Sequence, residues 1–506
     1  MPPPHPPAAG RLAGAPVVLL ALAVTAPLAV VSGVVPAGYA AGLTAEPLLF
    51  AGLGLLLLTF ASGYLAAARR MPHPGPLYSV VARGLGRPLG LAAAWLALLS
   101  YATLQLACYG LAGAAAAPLL DTWFGVGVPW WAVAAGCWAV VAGCGLVRGA
   151  VTAWLIAVLV LGETVVIVGY GAANLLHPSG AGSAWTTVSP AALADVPRPV
   201  LGLLLVGAAL SFVGFETAAG YGDQTRHPRR ATYLCVVLTT VLTGAAAWAM
   251  GVAAGPDRIV ALAGARGPEL MVGLAADRLA PWAVTLGRVT LVTGLLAAAL
   301  ALHQVIVRHL VALGRERVLP AAFGRTPAVA SLAQSAVLGA ALGGCAYAGL
   351  VPGRGLGTAG GLGILAVLTA TSLAALLFLN RSPNGEGAWQ RLFAPTIGTV
   401  GLGVLGYLAA RDLPALLGVP MLRVWIGLAA AGAAVLAGLG SGLALRRTAP
   451  VVYAGIGLGG AAVVVTPTLP ALPRQRLPGA HRPERVGGEE LTGPAGSPRR
   501  RTPGSE

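Results

Sequence analysis

Residues 200–222 read VLGLLLVGAALSFVGFETAAGYG, and this stretch decides the fold. It is as long as a membrane crossing, because about 20 apolar residues cover a hydrocarbon core. Its centre breaks the apolar rule with Ser211, Gly214 and Glu216. A carboxylate at that depth costs at least about 2.5–3.5 kcal/mol, so it needs water, a partner or a proton. Irregular backbone is tolerated there only where it is buried in protein or lines a cavity. The stretch therefore reads as a broken helix at a site.

The rest of the chain agrees. Only 9% of the 506 residues are charged and 57% are apolar, with a mean hydropathy of +0.80. A soluble domain carries roughly 25% charge. That composition excludes an ordinary soluble enzyme, and it excludes disorder over most of the length. Twelve segments are long and apolar enough to cross: 15–40, 48–68, 89–117, 130–146, 150–176, 200–222, 232–254, 281–312, 329–351, 356–379, 392–410 and 419–445. The first runs past Pro27 and eleven more follow, so it is read as a span and not a signal peptide. The ends, residues 1–14 and 451–506, are expected to be tails, mostly disordered in the Pro-, Gly- and Arg-rich parts. The transporter-sized body is 15–450.

All 32 basic residues are arginine, and the net charge is +16. Their placement argues against nucleic acid. With the N-terminus inside, 23 arginines fall on the inner side. Six fall outside: Arg198, Arg258, Arg266, Arg278, Arg354 and Arg411. Positive charge gathers on the cytoplasmic side. The expected location is the cell membrane, multi-pass, with both termini cytoplasmic. The tail arginines read first as part of this inner-side excess, with contact to anionic membrane lipid as the second reading.

A second interruption lies in span one: Pro27, then Val31-Ser32-Gly33-Val34-Val35-Pro36. Proline lacks an N–H and clashes with the preceding turn. Paired interruptions in corresponding spans point to a transporter binding site. Two more polar groups sit within spans, Glu163 in span five and His303 in span eight; of the acids, only Glu163 and Glu216 are expected to lie deep. Each has a bland reading as a hydrogen-bonded packing residue. Arg308 and His309 are expected to reach the inner interface by snorkelling. Cys108, Cys137, Cys144, Cys235 and Cys345 form no CxxC pair and read as small apolar fillers. Gly355–Gly360 matches GxGxxG, but no strand precedes it. No Walker lysine exists, and Glu163, Glu216 and His303 on three spans do not make a clustered catalytic set. No enzyme, metal or cofactor is expected.

At Ser211–Arg230 the chain reads SFVGFETAAGYGDQTRHPRR. It resembles the amino acid–polyamine–organocation (APC) transporter superfamily, in the manner of bacterial amino acid permeases. There a Gly-Phe-Glu-like break in helix six precedes an acidic-Thr-x-x-Pro-x-Arg turn. Pro74–Arg87, His303–Pro320 and Pro27–Pro36 resemble further family stretches. The departures are the loss of a Gly-Ser-Gly-x-Gly first break and of one acid beside Asp223. The resemblance implies an all-α fold with a five-plus-five inverted repeat, broken helices 1 and 6, and two further helices. It implies secondary transport of amino acids or related amines by alternating access, coupled to a proton, with sodium the second choice, or to exchange. Amides near Ser32, Gly33 and Val34 would hold a carboxylate. Carbonyls near Leu210 and Val213, beside Gly214, would hold an ammonium group, with Phe215 as a lid. Glu216, Glu163 and His303 are the coupling candidates. Asp223, Arg229 and Arg230 would gate the inner side, with Glu316. The reading from another class is a transporter-fold sensor or scaffold that moves nothing and acts through its tail.

Overall fold

The computed structural model describes residues 14–71, 77–147, 149–179, 188–194, 196–221, 228–276 and 278–459. Among these, every regular element is helical. Among the described residues twelve helices are long and apolar enough to cross a membrane. Many open on a proline in the first turn, where a missing N–H costs nothing. Small residues let the helices approach closely, as a lipid-embedded bundle requires. Gly438 of span twelve, for example, lies against the backbone of Ala92 in span three.

Span one is two helices, α1 (Gly14–Thr25) and α2 (Pro27–Ala40). Between them Ala26 sits at φ 46°, ψ 62°. Pro27 accounts for the departure from the right-handed α region, which a residue before proline avoids, while the left-handed conformation itself is unusual for an alanine. The expected break at 31–36 is absent. α2 runs through Ser32, Gly33 and Pro36, and at Pro36 it loses the partner of the Ser32 carbonyl and bears the crowding of the ring against it. Spans two and three are α3 (Glu46–Ala68) and α5 (Arg87–Phe124), joined on the side where α1 begins by the short α4 (Leu77–Gly84). We call that the near side. Span five is α7 (Gly149–Leu175).

Span six breaks where its sequence indicated. α8 (Arg198–Leu210) ends, Ser211–Gly214 form a turn, and Phe215–Tyr221 continue as a 3-10 helix. Gly214 has φ 126°, a region L side chains avoid. Spans seven to twelve follow: α9 (Pro228–Ala254), α12 (Pro281–Arg315), α13 (Pro327–Tyr347), α14 (Arg354–Arg381), α15 (Ala394–Arg411) and α16 (Met421–Thr448).

Two boundaries differ from expectation. Span four, α6 (Trp130–Cys144), is only 15 residues long. Pro256–Ala276, expected as a loop, is apolar and long enough to count among the twelve. It is broken into α10 (Pro256–Arg266), a 3-10 turn and α11 (Leu270–Ala276), and α10 and the turn pack on α2. Residues 451–459 are also ordered. Pro450–Gly455 is a short helix, and the turn after it packs on the near side. There Arg70 forms an ion pair with Glu386, holding that carboxyl below its usual range.

Candidate functional site

The two breaks touch. A Cβ on Gly214 would lie 2.7 Å from Val24 Cβ and 3.0 Å from the Thr25 amide nitrogen. Only glycine lets the backbones meet here, and Gly214 serves both its dihedral and its neighbour.

Each break binds one buried carboxylate. Glu216 is 2% exposed. Its Oε2 accepts the Gly214 amide at 2.8 Å, and its Oε1 accepts the Tyr101 phenol of span three at 2.8 Å. Thr217 donates to the Gly214 carbonyl at 2.6 Å, closing the turn. Glu163 is 1% exposed and comes from span five. Its Oε1 accepts the Leu28 amide at 2.6 Å, so it caps the first turn of α2. A half-helix N-terminus carries partial positive charge, which suits a carboxylate. Glu163 also rests on Gly294 of span eight, where a Cβ would sit 3.1 Å from its Cδ. A Ser or Thr partner for Glu163 is thus replaced by backbone.

Two cavities approach the breaks from opposite sides. The near-side cavity, about 600 Å³, is lined by Tyr101, Glu216, Tyr221, Arg308 and Arg315 among others. The far-side cavity, about 380 Å³, is lined by Thr25, Ala26, Gly33, Val34, Leu210 and Val213 among others. Apart from the side chains near its rim, its wall is mostly apolar.

The sequence-predicted residues divide accordingly. Gly33 and Val34 reach the far-side cavity with their helix faces, while their amides and that of Ser32 lie inside α2. Those three amides are therefore not the free donors expected; in the first turn of α2 the Leu28 amide is taken by Glu163, which leaves that of Ala29, on the far-side cavity, in their place. The Leu210 carbonyl accepts the Val213 amide at 3.1 Å and keeps one lone pair. Phe215 is fully buried edge-on to Phe60, with ring centroids 5.9 Å apart, and lines neither cavity. In this arrangement it packs as a wedge between spans two and six. His303 bonds Ser331 of span nine at 2.9 Å and also lines neither cavity. Arg229 and Arg230 begin α9, and Asp223 lies outside the described residues. Arg308 does not snorkel freely: it donates to the Gly220 carbonyl at 2.8 Å and covers the Tyr221 ring at 4.2 Å. His309 is buried beside Tyr78, ring centroids 5.1 Å apart. Glu316 accepts the amides of Gly457 and Gly459 at 3.0 and 2.8 Å, in place of a basic partner. Burial raises its pKa to about 7.

Sequence reasoning missed Tyr101, whose hydroxyl in mid-span was the available signal. It also missed a polar ladder on span nine. Gln334 donates to Gln105 at 2.6 Å, Gln105 donates to Tyr109 at 2.6 Å, and Trp138 of span four donates to the Ser335 carbonyl at 2.9 Å. Finally it missed Glu46, placed just outside span two; the structure makes it the first residue of α3, only 1% exposed.

A multi-pass helical bundle with two broken helices in contact, each break holding a buried carboxylate and each facing a cavity, has the makings of a membrane permease. The chain belongs to the amino acid permease family, whose model matches residues 17–439. Among curated proteins none matches the chain.

Proposed function

We propose that the protein is a secondary transporter of amino acids or related amines across the cell membrane, working by alternating access. The observation that carries this reading is the contact of Gly214 with Val24 and Thr25, with one cavity on each side of it. A rocking movement about such a contact would expose the breaks to one side and then the other. The near side is read as cytoplasmic from the arginine count.

In this reading the α-carboxylate of a substrate docks at the Ala29 amide in the first turn of α2, on the far-side cavity. The free lone pairs of the span-six turn, at Leu210 and Val213, take its ammonium group. Glu163 already occupies the back of the same half-helix end. Two carboxylates at one positive end repel each other, so a proton on Glu163 favours substrate binding, and substrate favours the proton. Glu216 faces the near-side cavity and is the second coupling group. A proton is thereby the coupling ion, or the half-cycle runs as exchange.

Uptake of radiolabelled amino acids and amines into proteoliposomes, with and without imposed pH and sodium gradients, tests the reading. Saturable uptake driven by the pH gradient supports it. If nothing saturable moves in any condition while the tail-deleted chain (residues 1–466) loses a cellular phenotype, the sensor reading replaces it.

A further inference from the structure

The far-side cavity contains an acidic side chain the reading above does not use. Glu46 opens α3, lines this cavity and is 1% exposed. Its Oε2 is buried with no hydrogen-bond partner, and among the described residues no arginine forms an ion pair with it. A buried carboxylate without a partner is costly, and such groups persist where something of opposite charge comes to meet them. Its position is built: the carboxylate rests on Gly38 of α2, where any Cβ would collide with Oε1. On the same cavity wall stands Arg354, the first residue of span ten, which is exposed.

Distance separates Glu46 from the breaks. Gly38 lies twelve residues past Ala26, about 18 Å along a helix. A small amino acid held at the break cannot reach it. Glu46 therefore marks a second position in the same cavity, nearer the far side.

We propose that Glu46 is an outer docking point for the ammonium group of an incoming amine, occupied before the substrate reaches the paired breaks. The ligand class is protonated primary amines, with or without a carboxylate. For a zwitterion, Arg354 at the rim offers the complementary charge, so the ammonium group enters towards Glu46. The apolar remainder of the wall accepts the carbon chain. The inference rests on the transporter reading for its role in uptake, but not for binding itself.

The test separates the two. Thermal stability of the purified full-length chain is measured with n-butylamine, n-butanol, butyrate or sodium chloride added. The amine is expected to stabilise the wild type, and the isosteric alcohol and the anion are not. Glu46→Gln should lose that stabilisation and Glu46→Asp should keep part of it. Gly38→Ala, which displaces the carboxylate without removing it, should weaken it. In uptake, Glu46→Gln should raise KM about tenfold or more at unchanged kcat, the cost of one charge-assisted contact. Equal amine stabilisation of the wild type and Glu46→Gln, or of the wild type and Gly38→Ala if Glu46→Gln does not fold, overturns the proposal. So does stabilisation by sodium alone that amine does not add to. Glu46-dependent amine binding without any uptake would retire the transport reading and leave this site standing.

Discussion

The phenol of Tyr101 donates to Oε1 of Glu216 at 2.8 Å, tying the middle of span three to the break of span six. The same carboxylate holds the Gly214 amide with its other oxygen. Span three is thus tied through one carboxylate to the turn at 211–214. Tyr101→Phe removes one donor and leaves Glu216 with the backbone alone. The expected cost is about 1.5–3 kcal/mol of stability, as for a buried bond to a charged group. Uptake should also change its pH profile, where a merely structural loss would lower its amplitude at every pH. Measuring both in proteoliposomes and by thermal unfolding separates the cases.

Gly214→Ala should abolish transport while the protein still inserts. The new Cβ meets Val24 at 2.7 Å, and φ 126° suits no alanine. Gly169→Ala in span five is the matched control, since nothing lies within 4 Å of its Cβ. Uptake by Gly214→Ala equal to that control would mean the contact between the breaks is not used.

Glu163→Gln keeps an acceptor for the Leu28 amide but cannot ionise. Exchange of substrate across the membrane should persist, and accumulation driven by a pH gradient should fall to background. Glu163→Ala should be worse in a different way. It strands the Leu28 amide, a loss of about 1–3 kcal/mol in stability. Retained pH-driven accumulation in Glu163→Gln would shift the coupling role to Glu216 alone.

Glu316 lies beyond the membrane spans, and burial raises its pKa from the ordinary 4.5 to about 7. The folded state therefore binds this proton more tightly than the unfolded chain does. Its stabilising contribution is complete below about pH 4.5 and is lost as pH rises through 7. The docking of residues 457–459 on Glu316 should weaken over that window. Amide exchange at Gly457 and Gly459 should accelerate from pH 5 to 8 beyond the intrinsic rate change. In Glu316→Gln this excess should vanish.

Much of the fold was legible because lipid is a simple solvent. Length, apolarity and arginine placement are linear quantities, and the span-six break announced itself through Gly214 and a carboxylate where none should be. The span-one break was harder. Ser32, Gly33 and Pro36 look like an interruption, yet a helix absorbs them when nothing competes for their backbone. The real break falls on Ala26, a residue with no preference for its conformation, and only Pro27 beside it gave a local reason. Partners were not legible. That Glu163 meets Leu28, 135 positions away, follows from how spans one and five are laid side by side. Glu46 escaped notice because a two-residue shift in the start of span two moves it from loop to cavity wall.

Span nine presents Ser331, Gln334 and Ser335 at positions i, i+3 and i+4, and these join it to spans eight, three and four. All three lie on one stripe of the helix. A residue added just before Ser331 would rotate that stripe by about 100°, since 3.6 residues make a turn. Every one of these bonds would then lose its partner at once, though no side chain had been altered. Substitutions along the opposite face, where Leu332 and Val337 meet lipid, leave the stripe untouched. Over evolutionary time this segment can change its lipid-facing letters freely while its length stays fixed.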